Sequence, residues 1–548
     1  MGRSLRIVGG EVYDPANGID GAIKEICVED GKIVESCTGP AEVIDAANLV
    51  VMPGGVDIHT HVGSPAVNAA RGFRPEDHRH MHFNSKPAAG MRSGVGSTVP
   101  STFATGYLYA QMGYTTVMEG ANAPIGVRHT HEELIDIPIV DKGLYIELGS
   151  NEFILKFIKA GEMEKVKRYV AWLLKSLKAY GVKLVNPGGV EAWKYGKDVA
   201  NLDDKVHYFD VTPRQILKAL AWANESLGLP HSIHLHANSL GTPNNYLTTL
   251  DTMRTLEGSR LHVAHAQFHS YGGENWGGFC SKAAEIAEYI NTHPNITTDI
   301  GQIVFGDATT ITADGPWQYR LYKLSKNKWY NQDVEIETGC GIVPYTYREN
   351  NFVNALQWAI GLELFLLIRD PWRVFLSTDH PNGGPFYLYP WIIRLLMDKP
   401  FRDEMLKRVH KRVLPETMLS SLDREYTLNE IAIISRAGPA RALGLTHKGH
   451  LGVGADADIT IYSKDSDKEH MFEHPVYVIK DGETVLRDGE IVHSPAGKTL
   501  FVVPPEVGEM DSTFKTEFEN YYTIRYQNFP IDIEDIPNRE AIPVGAPR

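Results

Sequence analysis

Between Leu49 and Ser377 the chain repeats one local pattern: a short apolar run with strand character, then a stretch of helical periodicity. The strand-like runs are Leu49-Val-Val-Met, Thr115-Thr-Val-Met, Gly143-Leu-Tyr-Ile-Glu, Val182-Lys-Leu-Val, Ser232-Ile-His-Leu-His, Leu261-His-Val-Ala-His, Ile296-Thr-Thr-Asp and Arg373-Val-Phe-Leu-Ser. Helical patterns lie between several of them, over Met163 to Lys178, Pro213 to Leu227 and Ser281 to Asn291. Repeated strand-then-helix units imply a parallel sheet with both faces covered. Eight strands in series predict an α/β fold closed into a (β/α)8 barrel of the TIM type, with its chemistry at the C-terminal strand ends.

A chain of 548 residues is too long for one ordinary core. The first fifty residues read as short strands, with a turn at Asp14-Pro-Ala-Asn-Gly and a hairpin around Asp30-Gly31. A second β-rich region runs from about Gly452 to Phe501 and has the same texture of short alternating strands and Asp-Gly turns. Neither region alone has enough strands for a stable sheet, so the two are expected to pair. The expected organisation is a (β/α)8 barrel over 53–436 and a small composite β-sandwich from 1–52 and 437–548. Beyond Pro504 the Pro- and acid-rich tail reads as extended. Gly452-Val-Gly-Ala-Asp-Ala457 fits a G-x-G-x-x-A spacing, but it neither follows a strand nor opens a helix, which excludes a dinucleotide site.

Composition narrows the partners. A net charge of −14 argues against nucleic acid, whose phosphates require a basic face. No window is long and apolar enough for a membrane span, and the N-terminus enters a strand-like run with no apolar signal core, so a cytoplasmic protein is expected. The cysteines are Cys27, Cys37, Cys280 and Cys340; they form no Cys-x-x-Cys pair, so no iron–sulfur cluster is expected on this chain.

The residues that carry chemistry fall at the strand ends. Pro53-Gly-Gly-Val-Asp-Ile-His59-Thr-His61 places two histidines two residues apart, on one face of a strand, where both imidazoles reach one metal ion. His236 and His265 end later apolar runs; His234 and His262 compete with them, and parity does not separate His234 from His236. Asp379 follows Val374-Phe-Leu-Ser-Thr, where a carboxylate can bind metal and shuttle a proton from water. The plain alternative is a turn or helix-cap aspartate. Lys183 sits inside an apolar strand, a costly position unless the amine is paired or neutral. A neutral amine reacts with carbon dioxide to give an anionic carbamate, which can bridge two metal ions; the alternative is a lysine in a salt bridge or one whose amine reaches solvent.

Together these residues resemble the amidohydrolase superfamily, in its binuclear-metal subtype with a carboxylated lysine. Ala437-Gly-Pro-Ala-Arg-Ala-Leu-Gly-Leu and Lys448-Gly-His-Leu-Gly-Val-Gly-Ala-Asp-Ala-Asp-Ile-Thr-Ile-Tyr are also typical of it. Longer blocks narrow the likeness: the run from His59 to His78, Lys183-Leu-Val-Asn-Pro-Gly-Gly, His262 to Gly272 and Thr378-Asp-His-Pro-Asn-Gly-Gly-Pro-Phe resemble the family of formylmethanofuran dehydrogenase A subunits. The A subunits of bacterial formyltransferase/hydrolase complexes are near relatives. The resemblance implies two divalent metal ions, with zinc suited to the donor set. His59 and His61 would serve one ion and His236 and His265 the other; carboxylated Lys183 would bridge them, and Asp379 would act as both ligand and proton shuttle. It further implies joining formate to the amine of methanofuran. Formate would come from carbon dioxide at a molybdenum or tungsten pterin centre, with iron–sulfur clusters, in partner subunits. A rival within the same fold is a dihydroorotase- or hydantoinase-like hydrolase of a cyclic amide; the polar insert from Arg71 to His82 argues for something more specialised. The other rival is a metal-free scaffold.

Overall fold

The computed structural model describes residues 4–78, 94–332 and 340–545. Its largest sheet contains eight parallel strands in barrel order: Gly55–Thr60, Tyr114–Asn122, Asp141–Glu147, Gly181–Val185, Ile233–His236, Leu261–Val263, Ile296–Asp299 and Val374–Phe375. Hydrogen-bonded ladders connect each strand to the next, from the first through to the eighth. The seam between the eighth and the first is made by fewer bonds. His61 N–H donates to the His380 carbonyl (2.7 Å), Ser377 Oγ–H donates to the His59 carbonyl (2.8 Å), and Thr60 bridges His380. The expected helices form over Met163–Leu177, Pro213–Ser226 and Ala283–Thr292, and their apolar faces join the strands in one continuous core.

One expected barrel strand belongs elsewhere. Leu49–Pro53 pairs with Ile459–Ser463 and with Ser4–Asp14 in the sheet of the chain ends. The chain crosses into the barrel at Gly54, whose N–H donates to the Asp458 carbonyl (2.8 Å) and where a Cβ would collide with the Thr115 side chain. The first barrel strand therefore starts at Gly55, and the apolar run before it serves as the hinge strand between the two sheets.

That second sheet has nine strands and is drawn from both chain ends. Its turns at Asp30-Gly31, Asp481-Gly482 and Asp488-Gly489 have positive φ at both residues, the geometry that closes tight antiparallel hairpins. Thr499–Val503, expected in this sheet, instead joins the barrel sheet beside Lys142 and pairs with Arg539–Pro543. The tail beyond Pro504 is likewise not simply extended. It forms helix Ser512–Tyr521, because its aromatic residues have a surface to cover: Phe514 and Phe518 pack on Phe153, Tyr169 and Trp172.

A buried charge cluster joins the two sheets. Lys448 Nζ lies 2.6 Å from Asp141, 2.7 Å from Asp456 and 3.1 Å from Asp458, and Lys480 shares Asp141 and Asp458. Burial alone would raise the Asp141 carboxyl, but Lys448 and Lys480 hold it well below the usual carboxylate range. Asp141 begins the third barrel strand, whereas Asp456, Asp458 and both lysines come from the C-terminal part of the chain.

After the seventh barrel strand an insert forms an antiparallel sheet of Gly306–Thr312, Cys340–Tyr347 and Tyr330–Gln332, with helix Gly315–Ser325 between its strands. This unit roofs the C-terminal mouth of the barrel. Among the described residues no helix is long and apolar enough to cross a membrane. Removing Lys448 by Ala substitution would leave three buried carboxylates short of a counter-charge. It is expected to cost about 3–5 kcal/mol, visible as a marked drop in the thermal unfolding midpoint; an unchanged midpoint would contradict the role given to this cluster.

Candidate metal centre

All six residues singled out by the sequence line one cavity of about 530 Å³ at the C-terminal end of the barrel: His59, His61, Lys183, His236, His265 and Asp379. Each is buried. His59 and His61 project from the first strand, and Gly120 on the second strand makes room for them: a Cβ there would lie 2.6 Å from His61 Cε1 and 2.8 Å from His59 Cδ2. Lys183 projects from the fourth strand, with Nζ 3.1 Å from His59 Nε2. Asp379 Oδ1 lies 3.3 Å from His59 Nε2 and 3.2 Å from His61 Nε2, and its Oδ2 is 4.0 Å from His265 Nε2. The rings of His236 and His265 meet edge to face at 4.8 Å.

The competing histidines lie outside this cavity. His262 is held between Thr297 Oγ1 (2.9 Å) and Asp299 (3.0 Å), and His234 stacks on Tyr145 while contacting His231 at 3.2 Å. Neither lines the cavity, although His234 also comes together with His59 and Asp299 as donor atoms within 4.8 Å of one another. Asp379 is no helix cap. Its backbone has φ of +50°, its N–H donates to Ser377 Oγ, and its carboxylate points at the imidazoles. His265 also has a left-handed φ, +36°. Such conformations in non-glycine residues cost about 1–3 kcal/mol each and concentrate at functional sites.

Two carboxylates that sequence patterns did not single out orient the pair. Glu119 on the second strand accepts the backbone N–H groups of Val62 (2.6 Å) and Gly63 (2.9 Å) and faces His61 Nδ1 at 3.3 Å. Asp299 at the end of the seventh strand lies 3.2 Å from His59 Nδ1 and accepts the His265 N–H at 3.0 Å. An ionised carboxylate only accepts, so each Nδ1 carries the proton and each Nε2 presents a lone pair toward Asp379. Asp299 ends Ile296-Thr-Thr-Asp as His236 ends its own strand, so the strand-end signal was present for it. Glu119 lay just past the strand core that the sequence displayed.

The donor set fits divalent metal ions. His59, His61 and Asp379 offer three ligand atoms within 4.8 Å of one another, with buried Asp379 Oδ1 facing both Nε2 atoms. Two imidazole lone pairs aimed at a carboxylate oxygen repel unless a cation or a proton lies between them. Without metal the proton takes that place. Burial depresses the His61 imidazolium, but hydrogen bonds to Asp379 and Glu119 outweigh it and push its pKa up to about 9. His265, buried beside His236 and His269, is held well below the usual range and stays neutral. Burial likewise pushes Lys183 down to about 8, against the opposing pull of Asp379 and Asp299. A lysine in this position has a neutral amine fraction that an exposed one lacks.

The amidohydrolase family profile covers residues 42–489. This chain belongs to the amidohydrolase family. Among curated amidohydrolase relatives, Protein FwdA of Methanocaldococcus jannaschii is 48% identical, over 98% of this chain and 99% of its own length. The A subunit of the formyltransferase/hydrolase complex Fhc of Methylorubrum extorquens is 41% identical, over 95% of this chain and 94% of its own. The crystal structure of that organism's FhcABCD complex with methylofuran contains a chain that superposes with a TM-score of 0.91 at 37% identity, over 99% of this chain and 100% of that one. The likeness to formylmethanofuran dehydrogenase A subunits, carried by separate blocks of sequence, thus extends along the whole amidohydrolase chain. Residues 79–82 of the polar insert lie outside the described residues; at its start Arg71 pairs with Glu133 (2.6 Å), and Arg74 with Asp77 (3.2 Å) and Asp307 (2.7 Å).

Because bound metal needs the His61 nitrogen free, protons compete with it below about pH 9. Zinc affinity of the metal-free protein, measured against a chelator, is expected to rise from pH 7 toward 9 and then level; a flat profile over that range would contradict the protonation assigned to His61.

Proposed function

We propose that this chain makes and breaks a formyl amide, joining formate to the primary amine of methanofuran with loss of water, as the amidohydrolase component of a formylmethanofuran dehydrogenase. The observation that carries the proposal is the convergence of four histidines, one lysine and one aspartate in a single cavity, in a chain alike over its full length to FwdA and to the Fhc relative. The higher identity to FwdA favours this reading over a bacterial Fhc-type component, and full-length likeness to both favours it over a cyclic-amide hydrolase. A relative crystallised with methylofuran supports a furan-linked amine as substrate.

In this proposal His59 and His61 would hold one ion and His236 and His265 the second, and Lys183, as a carbamate, would add an anionic oxygen donor. Carbamate formation takes one carbon dioxide, forms one N–C bond and releases one proton, leaving an anionic oxygen ligand where a cationic amine would be repelled. Divalent ions held there, zinc being suited to N/O donors, would supply Lewis acidity for activating water and polarising the formyl carbonyl. Asp379 is the one carboxylate that faces the cavity from the eighth strand. In hydrolysis it takes the proton of the attacking water and delivers it to the leaving amine nitrogen; in synthesis it takes a proton from the attacking amine and returns it to the departing oxygen. Glu119 and Asp299 keep the histidine tautomers fixed through both directions.

The remaining chemistry falls to partners. Of the cysteines, Cys27, Cys37 and Cys280 are free and lie away from the cavity, and the side chain of Cys340 is outside the described residues. In this proposal carbon dioxide reduction, at molybdenum or tungsten pterin with iron–sulfur clusters, would belong to other subunits of a cytoplasmic complex, which would pass formate inward to this site.

Zinc-loaded protein is expected to hydrolyse formylmethanofuran and leave dihydroorotate untouched. Lys183→Ala, His61→Ala and Asp379→Asn should each abolish turnover while leaving the circular dichroism spectrum unchanged. Wild-type rates in any of the three would remove that residue from the site. Turnover of dihydroorotate without formylmethanofuran hydrolysis would replace the substrate.

A further inference from the structure

His236 differs from its partners in the cavity. His59 and His61 are steadied by carboxylates on other barrel strands, Asp299 on the seventh and Glu119 on the second. The carboxylate at His236 comes instead from the roof. Asp314, buried, places Oδ2 3.2 Å from His236 Nε2. Its other oxygen accepts Asn186 Nδ2–H (3.1 Å) and the backbone N–H of Trp317 (3.1 Å), which makes Asp314 the N-cap of helix Gly315–Ser325. Asn186 in turn accepts from Asn238 Nδ2 at 2.8 Å. One side chain thus ties together the loop after the fourth strand, the end of the fifth strand and the helix whose Trp317 and Gln318 line the cavity.

Resting on the metal-site reading above, we infer that Asp314 is the positioning residue for His236, and that through it metal loading and seating of the roof helix are one coupled event. An ionised carboxylate accepts only, so His236 Nε2 carries the ring proton and its lone pair sits on Nδ1. Nδ1 is then the nitrogen available to a metal, whereas in His59 and His61 it is Nε2. A cation held by His236 would make the Nε2–H a stronger donor and so tighten its bond to Asp314, and with it the first turn of the helix. By linkage, a seated helix raises metal affinity by the same factor that metal raises helix seating. Bound metal would therefore tighten a roof wall that is already in place over the cavity.

Asn at this position tests the idea well. Asp314→Asn keeps an acceptor for Trp317 N–H and Asn186, and so keeps the helix cap. It turns an NH2 group toward His236 Nε2, which drives the ring proton to Nδ1 and blocks the metal. Asp314→Ser also retains a cap but offers His236 no carboxylate. The experiment is a zinc titration of wild-type, Asp314→Asn and Asp314→Ser full-length protein. It is paired with hydrogen exchange over residues 314–325 and with ¹⁵N-histidine spectra of the metal-free forms. Expected are zinc affinities about 10- to 100-fold weaker in both variants. Zinc should protect 314–325 in wild type and not in the variants, and the His236 tautomer should switch in Asp314→Asn. Wild-type affinity and unchanged protection in the variants would overturn the coupling and leave the metal site standing. A wild-type protein that takes up no zinc would overturn both.

Discussion

The barrel closes at the residues that line its cavity. Seven of its strand pairs are ordinary parallel ladders, but the eighth strand meets the first through Ser377 on the His59 carbonyl and His61 on the His380 carbonyl. These bonds place His59, His61 and Asp379 within ligand distance of one another. Because the seam and the site share backbone atoms, the geometry of Asp379 is set by how the barrel closes. The left-handed conformation at Asp379 is the local cost of turning the eighth strand inward at that point.

Around this seam the molecule arranges its charges by depth. Asp299 and Glu119 lie beneath the imidazoles and fix their protons. Asp379 faces the cavity. At the opposite end of the third strand, Lys448 and Lys480 neutralise Asp141, Asp456 and Asp458, which pins the sheet of the chain ends to the barrel. A buried charge cluster of this kind contributes little net energy compared with apolar packing, but breaking it is expensive, so it acts chiefly to specify how the two sheets join.

Much of this was legible in the sequence because it rests on periodicity and position. Seven of the eight barrel strands and the helices over 163–177, 213–226 and 283–292 follow from local apolar patterns. His61, His265 and Asp379 follow from polar groups near strand ends and Lys183 from a charge inside an apolar strand, whereas parity did not separate His236 from His234. The failures have physical reasons. Leu49–Pro53 looks like a barrel strand because it is as apolar as one; only Gly54, which must pass close to Thr115, marks the change of sheet. The tail looked extended because proline and acid dominate its composition, yet Phe514 and Phe518 find Trp172 and Tyr169 to pack against, a contact no local pattern encodes. Asp314 was invisible for the same reason. Its role depends on an inserted helix folding back over the fifth strand.

The proposed binuclear centre would take its donors from these six side chains, Lys183 among them as a carbamate. Metal analysis of the purified chain, reconstituted with zinc and bicarbonate, tests it most directly when wild type and Lys183→Ala are compared side by side. The account predicts about two zinc ions per wild-type chain and a clear loss in the variant, because the bridging ligand is gone. Zinc content at background in wild type, or two ions retained without Lys183, would contradict it.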